Sequence, residues 1–137
     1  MNKAIVLLFL VALYTTNAAA FQAATGKITV DQATALVVAS LNSEQRRLPK
    51  LGAEQYAAPD SSKFLFFTVT WEGTPKGSVV VGNFAVDPYT GDVFSATIAC
   101  HEEKNERLRT LQTQIRATLH LSQSDYQRLK TKGPLCD

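Results

Sequence analysis

The stretch "KFLFFTVTWEG", residues 63–73, decides the fold because its apolar side chains alternate. Two sets of side chains point to opposite faces: Leu65, Phe67, Val69 and Trp71 on one, and Phe64, Phe66, Thr68 and Thr70 on the other. Aromatic and β-branched residues in alternation are typical of a β-strand. We therefore predict a strand here.

Two more strands are predicted directly after it. "TPKG", residues 74–77, has the composition of a turn, and "SVVVGNFAV", residues 78–86, alternates as a second strand. Gly82 in that strand indicates a bulge or a close approach of another backbone. The third strand is "DVFSATIAC", residues 92–100. Connections this short make the three strands an antiparallel meander, because parallel neighbours need a long crossover.

The residues between the second and third strands, "DPYTGD" at 87–92, have the chemistry of a tight turn. Asp87 is placed to accept a hydrogen bond at the start of the turn, and Pro88 restricts the next φ angle. Gly91 supplies the positive φ that leads into the next strand. Tyr89 has no required role in the turn, so it is a candidate contact residue for a partner.

Helices are predicted on both sides of the strands. "ITVDQATALVVASLN", residues 28–42, has Thr29 and Gln32 at the spacing of a capping box, and the helix should end near Ser43. Its buried face is predicted to hold Leu36, Val37 and Leu41. Residues 44–62 are predicted to be a loop, which is either a plain connection or a functional segment.

The C-terminal part is predicted to be helical. "HEEKNERLRTLQTQIRATLHL", residues 101–121, carries an apolar stripe of Leu108, Leu111, Ile115 and Leu119, with Glu102 and Glu103 near the helix start. Ser122 and Asp125 then indicate a short last helix. The predicted fold class is α+β: an N-terminal helix, a three-stranded antiparallel meander sheet, and a C-terminal helix plus short last helix packed on one sheet face.

The first 20 residues have the layout of a signal peptide. Lys3 precedes an apolar run at residues 4–14, and Ala18, Ala19 and Ala20 provide the small residues of a cleavage site. The run is shorter than the roughly 20 residues that span a bilayer. We therefore expect export to the periplasm or beyond, with residues 21–137 forming one domain that is ordered from about residue 28.

Cys100 and Cys136 are the two cysteines of the chain, and an exported chain meets an oxidising compartment. A disulfide between them is the expected state, with a reactive thiol or a metal thiolate as alternatives. The chain carries 14 basic and 12 acidic residues, so it has no strong field for nucleic acid or membrane.

Catalytic chemistry has weak candidates. His101 and His120 have no metal-binding spacing, and "CHEE" at residues 100–103 places a thiol beside a base on what reads as extended backbone, where neighbours point apart. A carboxylate pair would come from these residues: Glu54, Asp60, Glu72, Asp87 and Asp92. We expect no enzymatic activity, no metal and no cofactor.

Contacts with a partner are predicted from aromatic and basic residues. Trp71, Phe64 and Phe66 would form an interaction surface if the second face of the sheet is exposed. If the 44–62 loop covers that face, they are core residues, and both alternatives stay open. Arg46 and Arg47 are further candidate contacts for an acidic partner.

Three segments carry a resemblance to known families: the helix "ITVDQATALVVASL", the strand that ends at Trp71, and "VGNFAVDPYTGDVFSA" at residues 81–96. Over residues 28–98 the chain resembles small exported PepSY-like domains, and it is similar to small bacterial immunity proteins with an NTF2-like or cystatin-like fold. The resemblance implies a non-catalytic periplasmic binding protein, most simply an inhibitor or immunity protein that blocks a toxin or lytic enzyme. The alternative is a carrier that binds a small ligand or peptide in a pocket between the sheet and the helices.

Overall fold

The computed structural model describes residues 26–58, 62–73, 78–97 and 101–134. The predicted signal peptide and both cysteines of the predicted disulfide, Cys100 and Cys136, lie outside the described residues. Among the described residues, no helix combines the length and the apolar character needed to cross a membrane.

Over the described residues the structure is α+β, as predicted, but the sheet has five strands instead of three. The strands are β1 Gly52–Tyr56, β2 Leu65–Glu72, β3 Ser78–Val86, β4 Val93–Ser95 and β5 His101–Glu102. Their spatial order is β1-β2-β3-β4-β5, and each strand is antiparallel to the next. The predicted meander forms the centre of this sheet, and β1 and β5 extend it at the two edges.

The strand β1 lies inside the segment predicted to be a loop, so that prediction is wrong over Gly52–Tyr56. The strand pairs with β2, from Gly52 opposite Thr70 to Tyr56 opposite Phe66. Its sequence, "GAEQY", lacks an alternation of apolar residues, and its last three side chains are exposed. The strand is therefore held by its backbone pairing with β2 more than by burial, and backbone pairing leaves no pattern in the sequence.

A bulge interrupts the pairing of β2 with β3. Val69 lies opposite Gly82 while Thr70 lies opposite Val80, so Val81 is an extra residue on β3. The prediction of a bulge at or beside Gly82 is confirmed.

The three helices are α1 Val30–Ser40, α2 Glu106–Thr118 and α3 Gln123–Leu129. The capping box of α1 is confirmed, since the Gln32 amide donates to Thr29 Oγ1 at 3.1 Å and the Thr29 amide donates to Gln32 Oε1 at 2.8 Å. The Ser122 cap of α3 is confirmed as well, because Ser122 Oγ accepts a hydrogen bond from the Asp125 amide at 3.1 Å.

The start of α2 differs from the prediction. Residues 101–102 pair with β4 as β5, and the helix begins after Asn105, whose Oδ1 accepts from the Leu108 amide at 2.8 Å. Glu102 and Glu103 therefore precede the helix. A side-chain cap four residues downstream of the predicted start, together with a strand partner for residues 101–102, explains the shift.

The main core lies between α1 and one face of the sheet. Three of its buried members are the predicted Leu36 and Val37 of α1 and Leu41 at its C-cap. The others include residues of the sheet and α2: Phe67, Val69, Phe84, Val86, Val93 and Leu108. The opposite face carries a second buried cluster, Phe64, Phe66, Ala85 and Phe94. The sheet is therefore covered on both faces at these positions.

Candidate functional site

Residues 87–92, called here the 87–92 turn, join β3 to β4 and are closed by their own hydrogen bonds. The Gly91 amide donates to the Asp87 carbonyl at 2.8 Å, and the Asp87 amide donates to the Asp92 carbonyl at 2.9 Å. Asp87 Oδ1 accepts from the Tyr89 amide at 2.9 Å, and Gly91 has a φ of 72°. The turn roles predicted for Asp87 and Gly91 are confirmed.

The 87–92 turn is buried, although hairpin turns usually lie on the surface. Asp87 and Thr90 have no exposed area, and Asp92 is 1% exposed. Each of three backbone carbonyls of the turn accepts a hydrogen bond from outside it: Pro88 from the Ile28 amide at 2.9 Å, Gly91 from Gln112 Nε2 at 2.9 Å, and Thr90 from Arg116 Nε at 2.7 Å. The turn thus joins the segment before α1, the sheet and α2.

The two acids of the turn are each paired with a base from another part of the chain. Asp87 Oδ2 lies 3.0 Å from Lys63 Nζ and accepts from Thr131 Oγ1 at 3.3 Å. Asp92 Oδ1 lies 2.7 Å from Arg116 Nη2. Both carboxylates are fully partnered inside the fold and inaccessible, so they have no geometry for a catalytic pair.

The surroundings of Asp92 form a closed polar network. Its Oδ1 also accepts from the Tyr126 hydroxyl at 3.1 Å, its Oδ2 accepts from Thr90 Oγ1 at 3.0 Å, and the Arg116 guanidinium lies 4.1 Å from the centre of the Tyr126 ring. Burial raises the pKa of Asp92 above its ordinary value, while the charge of Arg116 and the Thr90 hydrogen bond act in the opposite direction. The network fastens α2 and α3 to the turn.

Tyr89 is the residue of the turn whose side chain reaches the surface, and two lysines flank it. Lys27 Nζ lies 5.0 Å and Lys63 Nζ lies 6.0 Å from the centre of the Tyr89 ring. Such distances allow attraction between an ammonium group and the face of an aromatic ring. Lys27, Lys63 and Tyr89 are called here the Tyr89 surface.

A groove of about 1110 Å³ lies between the end of α1 and the start of α2. Val38, Leu41 and Leu111 contribute apolar surface to it, and Arg46 and Arg107 contribute charge. This α1–α2 groove lies between two helices, whereas the sequence predicted a pocket between the helices and the sheet.

The structure separates the other predicted contact residues. Phe64 and Phe66 are 8% and 3% exposed, so they belong to the second core cluster. Trp71 is half-buried at the opposite end of β2 from Phe64, about 23 Å away at roughly 3.3 Å per residue. Arg46 lies by the α1–α2 groove and donates to the Leu41 carbonyl, while Arg47 is exposed. Phe64 borders the Tyr89 surface, because Lys63 Nζ lies 5.3 Å from the centre of its ring, but its own side chain is buried.

The remaining catalytic candidates are scattered. His101 Nε2 lies 3.0 Å from Glu103 Oε1 beside the sheet edge, and His120 follows α2 with a φ of 53°. Glu72 forms an ion pair with Lys50, and Asp60 lies outside the described residues. Within the described ranges, no three His, Cys, Asp or Glu side chains are grouped as a metal site.

Sequence reasoning missed three residues of α2 and α3 that hold the turn from outside: Gln112, Arg116 and Tyr126. Gln112 gave one signal, because it lies four residues after Leu108, inside the apolar stripe of α2. A polar residue at a buried helix position needs a hydrogen-bond partner. Nothing in the local sequence indicated that Arg116 and Tyr126 would bond to Asp92, since both residue types are common on exposed helix surfaces.

The fold is similar to that of one chain in a solved structure, described as "Structure of a type VI secretion system effector-immunity complex from Pseudomonas protegens". The similarity covers 75% of this chain and 86% of that chain, with 22% sequence identity and a TM-score of 0.55. A scan of protein-family models finds no match, and a search of curated proteins finds none either. The resemblance to PepSY-like and NTF2-like domains therefore gains no support from a family model.

Proposed function

We propose that this chain is a non-catalytic immunity protein that binds a toxic or lytic enzyme and blocks it. The observation that carries the proposal is the fold shared with a chain of an effector-immunity complex. That chain is somewhat shorter than this one, because the same alignment covers a larger share of it. The similarity thus extends over most of both chains.

The partnered state of the acids in the 87–92 turn supports a binding role. Asp87 and Asp92 use their hydrogen-bonding capacity within the fold, and this fixes the turn beneath Tyr89. A rigid surface loses little conformational freedom on binding, which favours tight association with a protein partner.

Export is the second part of the proposal. The signal-peptide pattern at residues 1–20 supports export to the periplasm, and in that oxidising compartment we expect a disulfide between Cys100 and Cys136. Intact-mass measurement of exported protein should show loss of residues 1–20 and two hydrogens fewer than the reduced chain. A retained leader or two free thiols would contradict this part without affecting the proposed inhibition.

Growth protection tests the inhibition. The products of the genes adjacent to this coding region are directed singly to the periplasm of a bacterial host, with and without the full chain. We expect one of them to arrest growth, and co-expression of the full chain to restore it. A matched chain that lacks residues 1–20 should fail to protect, because it stays on the other side of the inner membrane.

Either of two results would contradict the immunity proposal. One is that no adjacent gene product is both toxic and neutralised by the chain. The other is that the exported chain arrests growth by itself, which would make it an effector.

The α1–α2 groove favours a second candidate, a carrier for a small ligand or peptide. Its volume of about 1110 Å³ is large enough for a drug-sized molecule, and its lining mixes apolar and charged side chains. Thermal unfolding of the mature chain with a library of small acids and short peptides tests it, since ligand binding raises the midpoint. Leu111→Glu should abolish any such shift, and a shift unaffected by this substitution would exclude the groove.

A further inference from the structure

We infer that the Tyr89 surface is where the partner docks, and that it binds an acidic segment of that protein, with a carboxylate between the Lys27 and Lys63 ammonium groups. The inference rests on the proposed function for the existence of a protein partner. It adds the location of the contact and the chemistry of the partner's surface.

The charge distribution is the first argument. Lys63 pairs with Asp87, whose side chain has no exposed area, while the Lys63 side chain itself is 41% exposed. Lys27 is exposed and forms no ion pair with any described residue; its partner is the ring of Tyr89. Outward from the turn, the described surface therefore presents two positive charges and a phenol, and Asp87, the carboxylate that pairs with Lys63, is buried beneath them.

The two ammonium groups create a site for an anion. Both lie within 6.0 Å of the centre of the same aromatic ring, so the fold places two positive charges around one side chain at the surface. A carboxylate placed between them is attracted to both. Each ammonium group has three N–H donors, and Lys63 uses one of them on Asp87, so donors remain for a carboxylate with two acceptor oxygens.

Rigidity is the second argument. The backbone on either side of Tyr89 is fixed, because the Pro88 carbonyl accepts from the Ile28 amide and the Thr90 carbonyl accepts from Arg116. Ile28 directly follows Lys27, so the same hydrogen bond positions Lys27 beside the ring. Tyrosine is enriched among residues that dominate binding energy at protein interfaces, and a preorganised ring has little freedom to lose.

The first test needs no knowledge of the partner. The ¹⁵N-labelled mature chain is titrated with a short polyglutamate peptide, and with polyglutamine as the neutral control. We expect amide shifts centred on Lys27, Lys63 and Tyr89 with polyglutamate and none with polyglutamine. Shifts centred elsewhere, or no shifts, would overturn the inference.

Variants sharpen this test. Lys27→Glu and Tyr89→Ala should each weaken polyglutamate binding by about tenfold. Arg107→Glu makes the same change in net charge at the α1–α2 groove, and it should change binding by less than about twofold. Lys63 is left intact because its removal would leave the buried Asp87 carboxylate without its positively charged partner.

Urea unfolding of each variant shows that the fold is retained. Equal losses for Lys27→Glu and Arg107→Glu would mean non-specific charge attraction and would overturn the inference.

The class of partner is tested with a single-stranded oligonucleotide. If the oligonucleotide binds to the same three residues more tightly than polyglutamate does at equal ionic strength, the partner is a nucleic acid and not an acidic protein segment. We expect the oligonucleotide to bind more weakly than polyglutamate.

The second arm uses the toxin found in the growth-protection experiment. Lys27→Glu should lose affinity for it by about tenfold or more and protect less, whereas Arg107→Glu should behave as wild type. If Lys27→Glu and Tyr89→Ala both bind and protect as wild type, the docking surface is wrong and the immunity function stands. If polyglutamate maps to the Tyr89 surface but no adjacent toxin exists, the site stands and the immunity function falls.

Discussion

At position 91 the backbone needs a residue that tolerates a positive φ, and there is little room for a side chain. Gly91 has a φ of 72°, and a Cβ placed there would lie 3.4 Å from Leu36 Cδ1. Gly91→Val should lower the free energy of unfolding by about 2–4 kcal/mol, from backbone strain and overpacking together.

Urea unfolding measures this loss, and Gly52→Val is the matched control. A Cβ at Gly52 meets no atom within 4 Å, so the same substitution there should change stability by less than about 0.5 kcal/mol. A stable Gly91→Val protein would mean that the turn has another conformation.

The buried carboxyl of Asp92 should give the protein an unusual pH dependence. Its pKa is raised in the folded chain, chiefly by burial, so between the unfolded and folded pKa values the folded protein binds more protons. The free energy of unfolding of wild type, relative to Asp92→Asn, should therefore fall as pH rises through this window and stay level above it.

Carbon-13 NMR of the Asp92 carboxyl checks the direction of its pKa shift. Arg116→Met should raise that pKa further, because the charge of Arg116 acts to lower it. A carboxyl that titrates below its ordinary pKa would show that Arg116 and the hydrogen bonds outweigh burial.

At the scale of the elements, Asn105 links two helices. Its Oδ1 caps α2, and its Nδ2 donates to the carbonyls of Ala39 and Ser40, at 3.0 and 2.9 Å, at the end of α1. Asn105→Ala should therefore lower the free energy of unfolding by about 2–3 kcal/mol, because α2 loses its cap and two carbonyls of α1 lose their hydrogen-bond donor.

Thr29→Ala is the comparison for that substitution, because Thr29 only caps α1. Thr29→Ala should lower the free energy of unfolding by about 1 kcal/mol, measured by urea unfolding as for Asn105→Ala. Equal losses for the two variants would mean that the hydrogen bonds from Asn105 to α1 contribute nothing to stability.

The elements that the sequence predicted correctly are those with a local signal. β2 and β3 alternate apolar residues, α1 and α3 carry side-chain caps, and Gly82 marks the bulge. β1 and β5 were missed because a strand at a sheet edge is specified by the backbone of its neighbour. The residues 101–102 even have a helix-compatible composition, and pairing with β4 overrides it.

At the scale of the whole molecule, the 87–92 turn should unfold only when the rest of the protein does. The amides of Ile28 and Gly91 both donate to carbonyls of this turn and should exchange with solvent deuterium at the rate set by global unfolding. The amide of the exposed Arg47, at the end of the short 3₁₀ turn Gln45–Arg47, should exchange faster through local opening. Fast exchange at Ile28 would show that its hydrogen bond to the Pro88 carbonyl opens independently of global unfolding.

The site was predictable only in part, because several of its contacts join residues that are far apart in the sequence. The turn roles of Asp87 and Gly91 depend on residues 87–92 alone. The burial of the turn depends on Arg116 and Tyr126, which are 24 and 34 positions from Asp92, and neither carries a local pattern. The lysines beside Tyr89 are likewise brought together by the fold.

The consecutive strand order β1-β2-β3-β4-β5 has a consequence for the rate of folding. Each strand finds its partner next along the chain, so sheet formation closes only short loops and carries a low entropic barrier. The ion pair of Asp92 needs α2 in place, so we expect it to form after the sheet. Substitution of Val69 should slow refolding in a stopped-flow chevron, while substitution of Arg116 should leave refolding unchanged and accelerate unfolding. The ion pair at the turn then determines the unfolding rate and so the lifetime of the native protein, whereas the meander determines the folding rate.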